Sequence, residues 1–378
     1  MTSMCRRGGL VREELLGPLR PFPVATPLPR GLFVEPGALE LEERAIFAGS
    51  WVPVAHEADL ARPGDWVRAP IRSEHLIVMR TASLELAALH AVCTHRGTLL
   101  CEGERGREEE LRIRCPYHAW TYATDGTLLE APGAREAAPG LATAKVTTFA
   151  GVVFVALDQR ARPLELPPWL SRIGGAPLAR ARRADHEVHA NWKVIAGNFQ
   201  ESHHFPSVHP SLQEKTPWAA SSSVVTSDAW LGGTMELAPG FETVSESGRR
   251  RGRPFVAAEE DRGRVSDALV FPLWMTSLQP DYLLTYRLAP LAAGRTLVVA
   301  EIHVHPGALA KGVDLDDVFA FWDRTNAEDR ANCERQQRGL ESRHARLSSY
   351  AASEDGLHAF ERLVAARALA ALDAEGDS

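Results

Sequence analysis

The sequence predicts an α+β protein of two domains, and three observations predict this fold class. The chain has 378 residues, which is more than one hydrophobic core usually serves. Residues 51–155 contain short runs of Val, Ile and Leu, such as 75–79 and 152–157, separated by Gly, Pro and Asp turns, as in a small all-β domain. Residues 314–340 are charged, almost free of Gly and Pro, and carry apolar side chains at helical spacing, which predicts a long helix.

A stretch rich in Pro, Ala and Arg separates the two predicted domains. We expect an N-terminal segment at 1–45, the all-β domain at 46–160, a linker at 161–185 and a second domain at 186–378. The other elements predicted in the second domain are a helix at 191–202, strands at 283–288 and 296–304, and a final Ala-rich helix at 363–372.

Composition and charge argue against two classes of protein. No apolar run approaches the roughly 20 uncharged residues that a membrane-spanning helix needs. The formal net charge of −7 disfavours a nucleic-acid partner, because duplex binding requires a surface rich in Lys and Arg. Residues 1–30 lack the continuous apolar segment of a secretory signal, so we expect a cytoplasmic protein.

Two of the five cysteines lie beside histidines at tight spacing. Cys93 and His95 fall in the motif Cys-Thr-His-Arg-Gly, and Cys115 and His118 fall in Cys-Pro-Tyr-His-Ala-Trp. Two thiolates and two imidazoles suit a [2Fe-2S] cluster, with Cys93 and Cys115 on one iron. His95 and His118 would then hold the other iron. A tetrahedral zinc site is the alternative, but zinc fingers usually pair Cys with Cys and His with His, so the iron-sulfur cluster is favoured.

A second group of possible ligands lies in residues 198–210. Glu201 is followed by His203, His204 and His209, and we expect His204 and His209 to bind one metal ion. Two imidazoles and a carboxylate on one face of Fe(II) leave the opposite positions open for O₂ and substrate. The carboxylate must come from elsewhere, and the long predicted helix offers three candidates, Glu328, Asp329 and Glu334.

The two Cys-His motifs resemble the Rieske domain of ring-hydroxylating oxygenases. Ala119 departs from the family pattern, which usually has Gly at this position, and the stretch 102–114 is somewhat long and highly charged. We expect an exposed loop to accommodate both departures. The resemblance implies an N-terminal all-β Rieske [2Fe-2S] domain.

The residues beyond the linker resemble the catalytic domain of the same oxygenases, particularly the branch that acts on carnitine, choline and glycine betaine. The likeness rests on 191–193 (Asn-Trp-Lys), on the Glu-x-x-His-x-x-x-x-His core from Glu201 to His209, and on a Glu-Asp pair upstream of Gln-x-Gly-Leu. It implies a helix-grip domain with a curved antiparallel sheet and a long C-terminal helix. It also implies that Asp329 is the carboxylate ligand of a mononuclear iron.

The resemblance gives Glu201 a separate role. In the family, the corresponding carboxylate joins a cluster histidine of one subunit to an iron histidine of its neighbour in a ring-shaped trimer. In this chain the route would run from His118 through Glu201 to His204 within a homotrimer. A separate flavin and iron-sulfur reductase would supply electrons from NAD(P)H.

The implied activity is that of a Rieske mono- or dioxygenase that uses O₂ to hydroxylate or N-dealkylate a small organic substrate. A quaternary-ammonium compound is the expected substrate, and an aromatic ring is the alternative. A Rieske electron-transfer protein with a non-catalytic binding domain is an alternative of another class. His203 is either a pocket residue or an alternative ligand. The aromatic residues available to enclose a cation are Trp218, Trp230, Phe271, Trp274, Tyr282 and Tyr286.

Overall fold

The structure is a computed structural model that describes residues 12–376 except 70, 72, 73, 174–177, 223 and 224. The chain divides into two compact units. One unit is Phe47–Leu164, and the other combines Met1–Ile46 with Glu165–Ser378. None of the helices in the described residues has both the length and the hydropathy needed to cross a membrane.

The unit Phe47–Leu164 is built from ten short strands. They are β1 (Val52–His56), β2 (Asp65–Arg68), β3 (Leu76–Arg80), β4 (Leu86–His90), β5 (Arg105–Arg107), β6 (Arg112–Arg114), β7 (Thr121–Ala123), β8 (Leu128–Glu130), β9 (Thr143–Phe149) and β10 (Val152–Ala156). A seven-stranded sheet has the order β1-β10-β9-β4-β3-β2-β5, and a three-stranded sheet has the order β6-β7-β8. All pairs are antiparallel, and β3 and β10 confirm the strands predicted at 75–79 and 152–157.

The two Cys-His motifs form the loops that follow β4 and β6. Each loop closes with a backbone hydrogen bond to its cysteine: Gly97 N–H donates to Cys93 (2.9 Å), and Ala119 N–H donates to Cys115 (3.1 Å). Gly97 and Ala119 both have left-handed backbones, with φ of 74° and 59°. Gly adopts this conformation freely, whereas the Cβ of Ala119 opposes it. The stretch 102–114 is not one open loop, because it contains β5 and β6.

The other unit contains a second seven-stranded sheet. Its strands are β11 (Ala179–Val188), β12 (Val225–Thr226), β13 (Trp230–Glu236), β14 (Arg264–Val270), β15 (Trp274–Leu278), β16 (Tyr282–Ala292) and β17 (Arg295–Val304). Their order is β11-β17-β16-β15-β14-β13-β12, with every pair antiparallel. The strands predicted at 283–288 and 296–304 are confirmed within β16 and β17.

Strand β11 begins inside the stretch expected to be a linker, because residues 179–185 already pair with β17. Its arginines hide the alternating apolar pattern that identifies a strand. Arg180 donates to Glu301 (2.9 Å), and Arg182 donates to Asp323 (2.7 Å). Charged side chains suit this position, because β11 is the edge of the sheet and charges on an edge oppose pairing with another chain.

Helices complete this unit, and nine α-helices in its described residues are numbered in chain order. They are α1 (Gly31–Val34), α2 (Pro36–Glu42), α3 (Pro168–Ser171), α4 (Trp192–Phe199), α5 (Phe205–Val208), α6 (Pro210–Lys215), α7 (Pro306–Ala310), α8 (Asp316–Glu341) and α9 (Asp355–Gly376). The helices predicted at 191–202, 314–340 and 363–372 are confirmed as α4, α8 and α9.

The long helix α8 is anchored in its first turn by a buried arginine. Arg253 is 0% exposed and donates to Asp281 (2.5 Å) and to Asp317 of α8 (2.8 Å). Asp317 also lies where the helix dipole favours negative charge. These contacts fix the start of the helix relative to the loop that precedes β16.

The Asn-Trp-Lys segment at the start of α4 holds this helix to α2. Asn191 caps α4 by accepting from Lys193 N–H (2.9 Å). Glu42 of α2 accepts a hydrogen bond from Trp192 Nε1 (2.6 Å) and forms a buried ion pair with the Lys193 ammonium. Glu42 and Lys193 are each 1% exposed, so neither charge has water as an alternative partner.

We predict that Lys193→Met lowers the free energy of unfolding by about 3–5 kcal/mol, because it leaves the carboxylate of Glu42 buried without a cation. Urea denaturation of the full-length protein measures this loss of stability. The double variant Glu42→Gln/Lys193→Met should be closer to wild type, since Gln still accepts from Trp192. A double variant as unstable as the single variant would show that lost packing, and not the unpaired charge, destabilises the protein.

We predict that Ala119→Gly stabilises the unit Phe47–Leu164 by about 0.5–1 kcal/mol, because Gly removes the strain of the left-handed φ. Thermal unfolding measures the gain. Ala123→Gly in β7 is the matched control and should destabilise by about 0.5–1 kcal/mol, since a strand offers no such strain to relieve. Equal losses in both variants would contradict this explanation.

Candidate metal centres

The two cysteines of the first candidate centre are buried, and its two histidines are accessible. Cys93 is 2% exposed and Cys115 is 3% exposed, whereas His95 is exposed and His118 is half-buried. The rings of His95 and His118 lie 4.8 Å apart, and His95 stacks on Trp120 at 4.7 Å. The structure therefore brings the four predicted residues together.

Hydrogen bonds to the two sulfurs favour their use as thiolate ligands. Burial acts to raise the pKa of Cys115, but the backbone N–H groups of Tyr117 and His118, with Cys93 and Thr98, lower it overall. The hydroxyl of Tyr122 lies 3.3 Å from Cys93 Sγ. Such hydrogen bonds to sulfur are one means by which a protein adjusts a cluster's reduction potential. The residues therefore fit an iron-sulfur cluster.

The second candidate centre is formed by two short connections and one long helix. His204 precedes α5, His209 lies between α5 and α6, and Asp329 lies in the middle of α8. Potential ligand atoms of these three residues all lie within 4.8 Å of one another. His209 Nε2 is 2.9 Å from Asp329 Oδ1, and His204 Nε2 is 3.8 Å from it. Two imidazoles and one carboxylate on one side of a site match the ligand set expected for Fe(II).

The outer nitrogens of both imidazoles contact carboxylates. His204 Nδ1 lies 2.6 Å from Glu201 Oε1, and the second oxygen of Glu201 accepts from His204 N–H (3.2 Å). His209 Nδ1 lies 2.7 Å from Glu328 Oε2. Carboxylates in this position fix the orientation of a ligating ring and raise its basicity. Asp329 is itself oriented by Asn198, whose amide donates to Oδ1 (2.7 Å).

The pKa of His209 is raised above its ordinary value. Burial acts to lower this pKa, but the hydrogen bonds and charges of Asp329 and Glu328 outweigh burial. The negative field of the two carboxylates therefore favours a positive charge at this ring, whether a proton or a metal ion supplies it.

The three acidic candidates on the long helix are separated by their contacts. Asp329 meets both histidines, Glu328 meets only the outer nitrogen of His209, and Glu334 instead accepts from His189 N–H (3.1 Å). His203 is exposed and packs its ring against Trp218 at 5.2 Å. Local sequence patterns did not identify Glu328 and Asn198 as supporting residues, and the signal available for them was their spacing from the predicted ligands.

The second centre opens into a cavity of about 170 Å³ whose floor is the sheet. Inward-facing residues of β14, β15, β16 and β17 line it, together with the metal-centre residues. Of the six aromatic residues that the sequence offered to enclose a cation, the described lining of the cavity includes only Tyr286. Phe199 and Trp322 also line the cavity. Trp274 and Tyr282 are 0% exposed and belong to the core. The cavity also includes His186, which the sequence did not distinguish from a structural histidine.

Comparison with known protein families agrees with the two units. Residues 50–150 match the Rieske [2Fe-2S] domain, and residues 176–370 match the ring hydroxylating alpha subunit (catalytic domain). These two domains imply a Rieske cluster and a mononuclear iron.

Curated relatives match nearly the whole chain. The carnitine monooxygenase oxygenase subunit of Acinetobacter baumannii is 30% identical over 370 residues, covering 90% of this chain and 95% of the relative. The glycine betaine monooxygenase oxygenase subunit of Chromohalobacter salexigens is 27% identical over 399 residues, covering 93% and 88%.

A similar fold is found in the crystal structure of the quaternary ammonium Rieske monooxygenase CntA in complex with L-carnitine. The TM-score is 0.72 at 26% identity, and the match covers 94% of this chain and 98% of that chain. The chain described here belongs to the family of ring-hydroxylating oxygenase α subunits, with a Rieske [2Fe-2S] domain followed by the catalytic domain.

Proposed function

We propose that the protein is the oxygenase subunit of a Rieske monooxygenase that hydroxylates or N-dealkylates a small quaternary-ammonium compound. The observation that carries this proposal is the convergence of His204, His209 and Asp329 on the wall of a cavity. The names of the relatives point to carnitine and glycine betaine as the first compounds to test. The proposal assigns the unit Phe47–Leu164 to the cluster and the other unit to the iron and substrate.

The proposed ligands divide between two metals. Cys93, Cys115, His95 and His118 would hold the cluster, and His204, His209 and Asp329 would hold the mononuclear iron. The bound metals would supply electron transfer and oxygen activation, which the side chains cannot supply themselves. The side chains of Glu201, Glu328 and Asn198 orient the ligand residues. The apolar parts of the cavity exclude water from the substrate.

Glu201 is proposed to be the electron-transfer bridge. One of its oxygens holds the outer nitrogen of His204, and the other is fixed by the backbone of the same residue. In a homotrimer the carboxylate would also meet His118 of the partner subunit. Electrons would come from NAD(P)H through a separate flavin and iron-sulfur reductase, and a cytoplasmic location would give that reductase its nucleotide.

Electron paramagnetic resonance tests the proposal in one anaerobic sample. Dithionite reduction should give a low-average-g Rieske signal, and Fe(II) with nitric oxide should add a high-spin iron-nitrosyl signal. A Rieske signal without the iron-nitrosyl signal would favour an electron carrier. The absence of both signals would overturn the proposal. A substrate screen that begins with carnitine and betaines and continues with aromatic compounds then separates the two substrate classes.

We predict that Glu201→Gln keeps both resonance signals but lowers coupled turnover by about 100-fold or more, because the amide cannot serve as the anionic link at His204. Product formed per NAD(P)H consumed measures the coupling. Glu214→Gln is the matched control, since the Glu214 side chain is 66% exposed and lies outside the centre. Unimpaired turnover in Glu201→Gln would exclude the bridging role.

We predict that Asp329→Asn abolishes the iron-nitrosyl signal and leaves the Rieske signal intact, because the anionic ligand oxygen is lost. Glu328→Gln should weaken Fe(II) affinity by about 10–100-fold, as expected for a residue that orients a ligand. Glu334→Gln should bind iron as wild type does. If Glu334→Gln and not Asp329→Asn loses the iron, the proposed ligand set is wrong.

A further inference from the structure

The cavity contains an acidic side chain that the proposed metal centres do not use. Asp267 lies on β14 directly opposite Ser277 of β15, and both residues line the cavity that the metal-centre residues share. Among the described residues, no basic side chain pairs with Asp267, and its Oδ1 is buried without a hydrogen-bond partner. An uncompensated carboxylate therefore forms part of the cavity wall.

The polar neighbours of Asp267 do not neutralise its charge. A hydrogen bond from the Ser277 hydroxyl favours the ionised form, and the Gln279 amide donates in turn to Ser277 Oγ (2.8 Å). Burial has the larger effect and raises the pKa of Asp267 to about 6. Gln279 is itself 0% exposed, and its Oε1 lacks a partner among the described residues. This part of the cavity offers acceptor atoms and negative charge, which a cationic ligand would satisfy.

An aromatic ring in the same cavity lies near both this carboxylate and the candidate iron site. Tyr286 of β16 is opposite Met275 of β15, one inward-facing position along from Ser277, and it also lines the cavity. Burial raises its pKa well above the ordinary value, and the charges of Asp329 and Asp267 raise it further, so the phenol lies near both carboxylates. Its hydroxyl donates to Asn326 (2.6 Å), which holds the ring in place.

We propose that Asp267 and the ring of Tyr286, on the wall of the same cavity, together recognise the positively charged group of the substrate and select an ammonium group over an uncharged group of the same shape. The carboxylate supplies the opposite charge, and the aromatic face supplies a cation–π contact that needs no N–H donor. Such a pair suits a trimethylammonium group, which has no hydrogen to donate. This inference rests on the proposed function, because it concerns the same cavity and the same substrate class.

The test compares ligands that differ only in charge. Carnitine, glycine betaine and choline are each paired with the analogue in which a tert-butyl group replaces the trimethylammonium group. Anaerobic calorimetry on the protein loaded with both metals measures the affinities. The wild type should bind at least one cation about 10-fold or more tightly than its analogue. In Asp267→Asn this preference should fall to about 2-fold or less, whereas Asp267→Glu should retain most of it.

Asp355→Asn is the matched control, because Asp355 also lines the cavity but is exposed to solvent. This variant should keep the wild-type preference, and equal losses in both Asn variants would assign selectivity to the general negative potential of the cavity. A preference that survives in Asp267→Asn would overturn the inference while leaving the proposed function intact. A wild type that binds no cation better than its analogue would overturn the inference and the proposed substrate class together, even with both resonance signals present.

Discussion

The candidate iron site depends on how the imidazole of His209 is held against α8. This ring is buried, and its two nitrogens meet the consecutive carboxylates Glu328 and Asp329. Consecutive side chains of a helix point about 100° apart, so one ring can meet both only when it lies directly over that turn. A slip of one residue, about 1.5 Å along the axis, would break both contacts. The candidate ligand set therefore requires α8 to be fixed in register with the turn between α5 and α6.

Two groups of buried charged residues hold the helices in this register. Arg253 ties the first turn of α8 to Asp281, and Glu42 ties α4 to the N-terminal helices through Trp192 and Lys193. Buried ion pairs add little net stability compared with apolar packing, but a broken one is costly because a charge is left without water or partner. Displaced positions of either helix are therefore unfavourable. The same residues explain why residues 191–193, a segment that supplies none of the candidate ligands, carry part of the family resemblance.

The cavity beside this site is lined by more acidic than basic side chains, and Arg330 is a basic member of the described lining. Glu201, Asp267 and Asp329 all line it, and a bound iron would offset the charges at its own end. Asp267 lies on the sheet and has no such compensation within the described residues. A ligand that carries its own positive charge removes this imbalance, which connects the fold of the sheet to the chemistry of the proposed substrate.

The sequence by itself determined the fold class, the order of the two domains and the long helix, because local spacing encodes helical periodicity and short ligand loops. It also placed the candidate ligands of each loop, since Cys93 and His95, or His204 and His209, are separated by only a few residues. Local spacing did not separate Asp329 from Glu328 and Glu334, and the family resemblance alone favoured Asp329. The tertiary structure shows that Asp329 is the carboxylate that meets both histidines, because the three lie on one helix and differ in what they face. The structure also decided that β11 is an edge strand and that Asp267 faces the cavity. Both depend on pairing between distant strands, which local sequence patterns do not record.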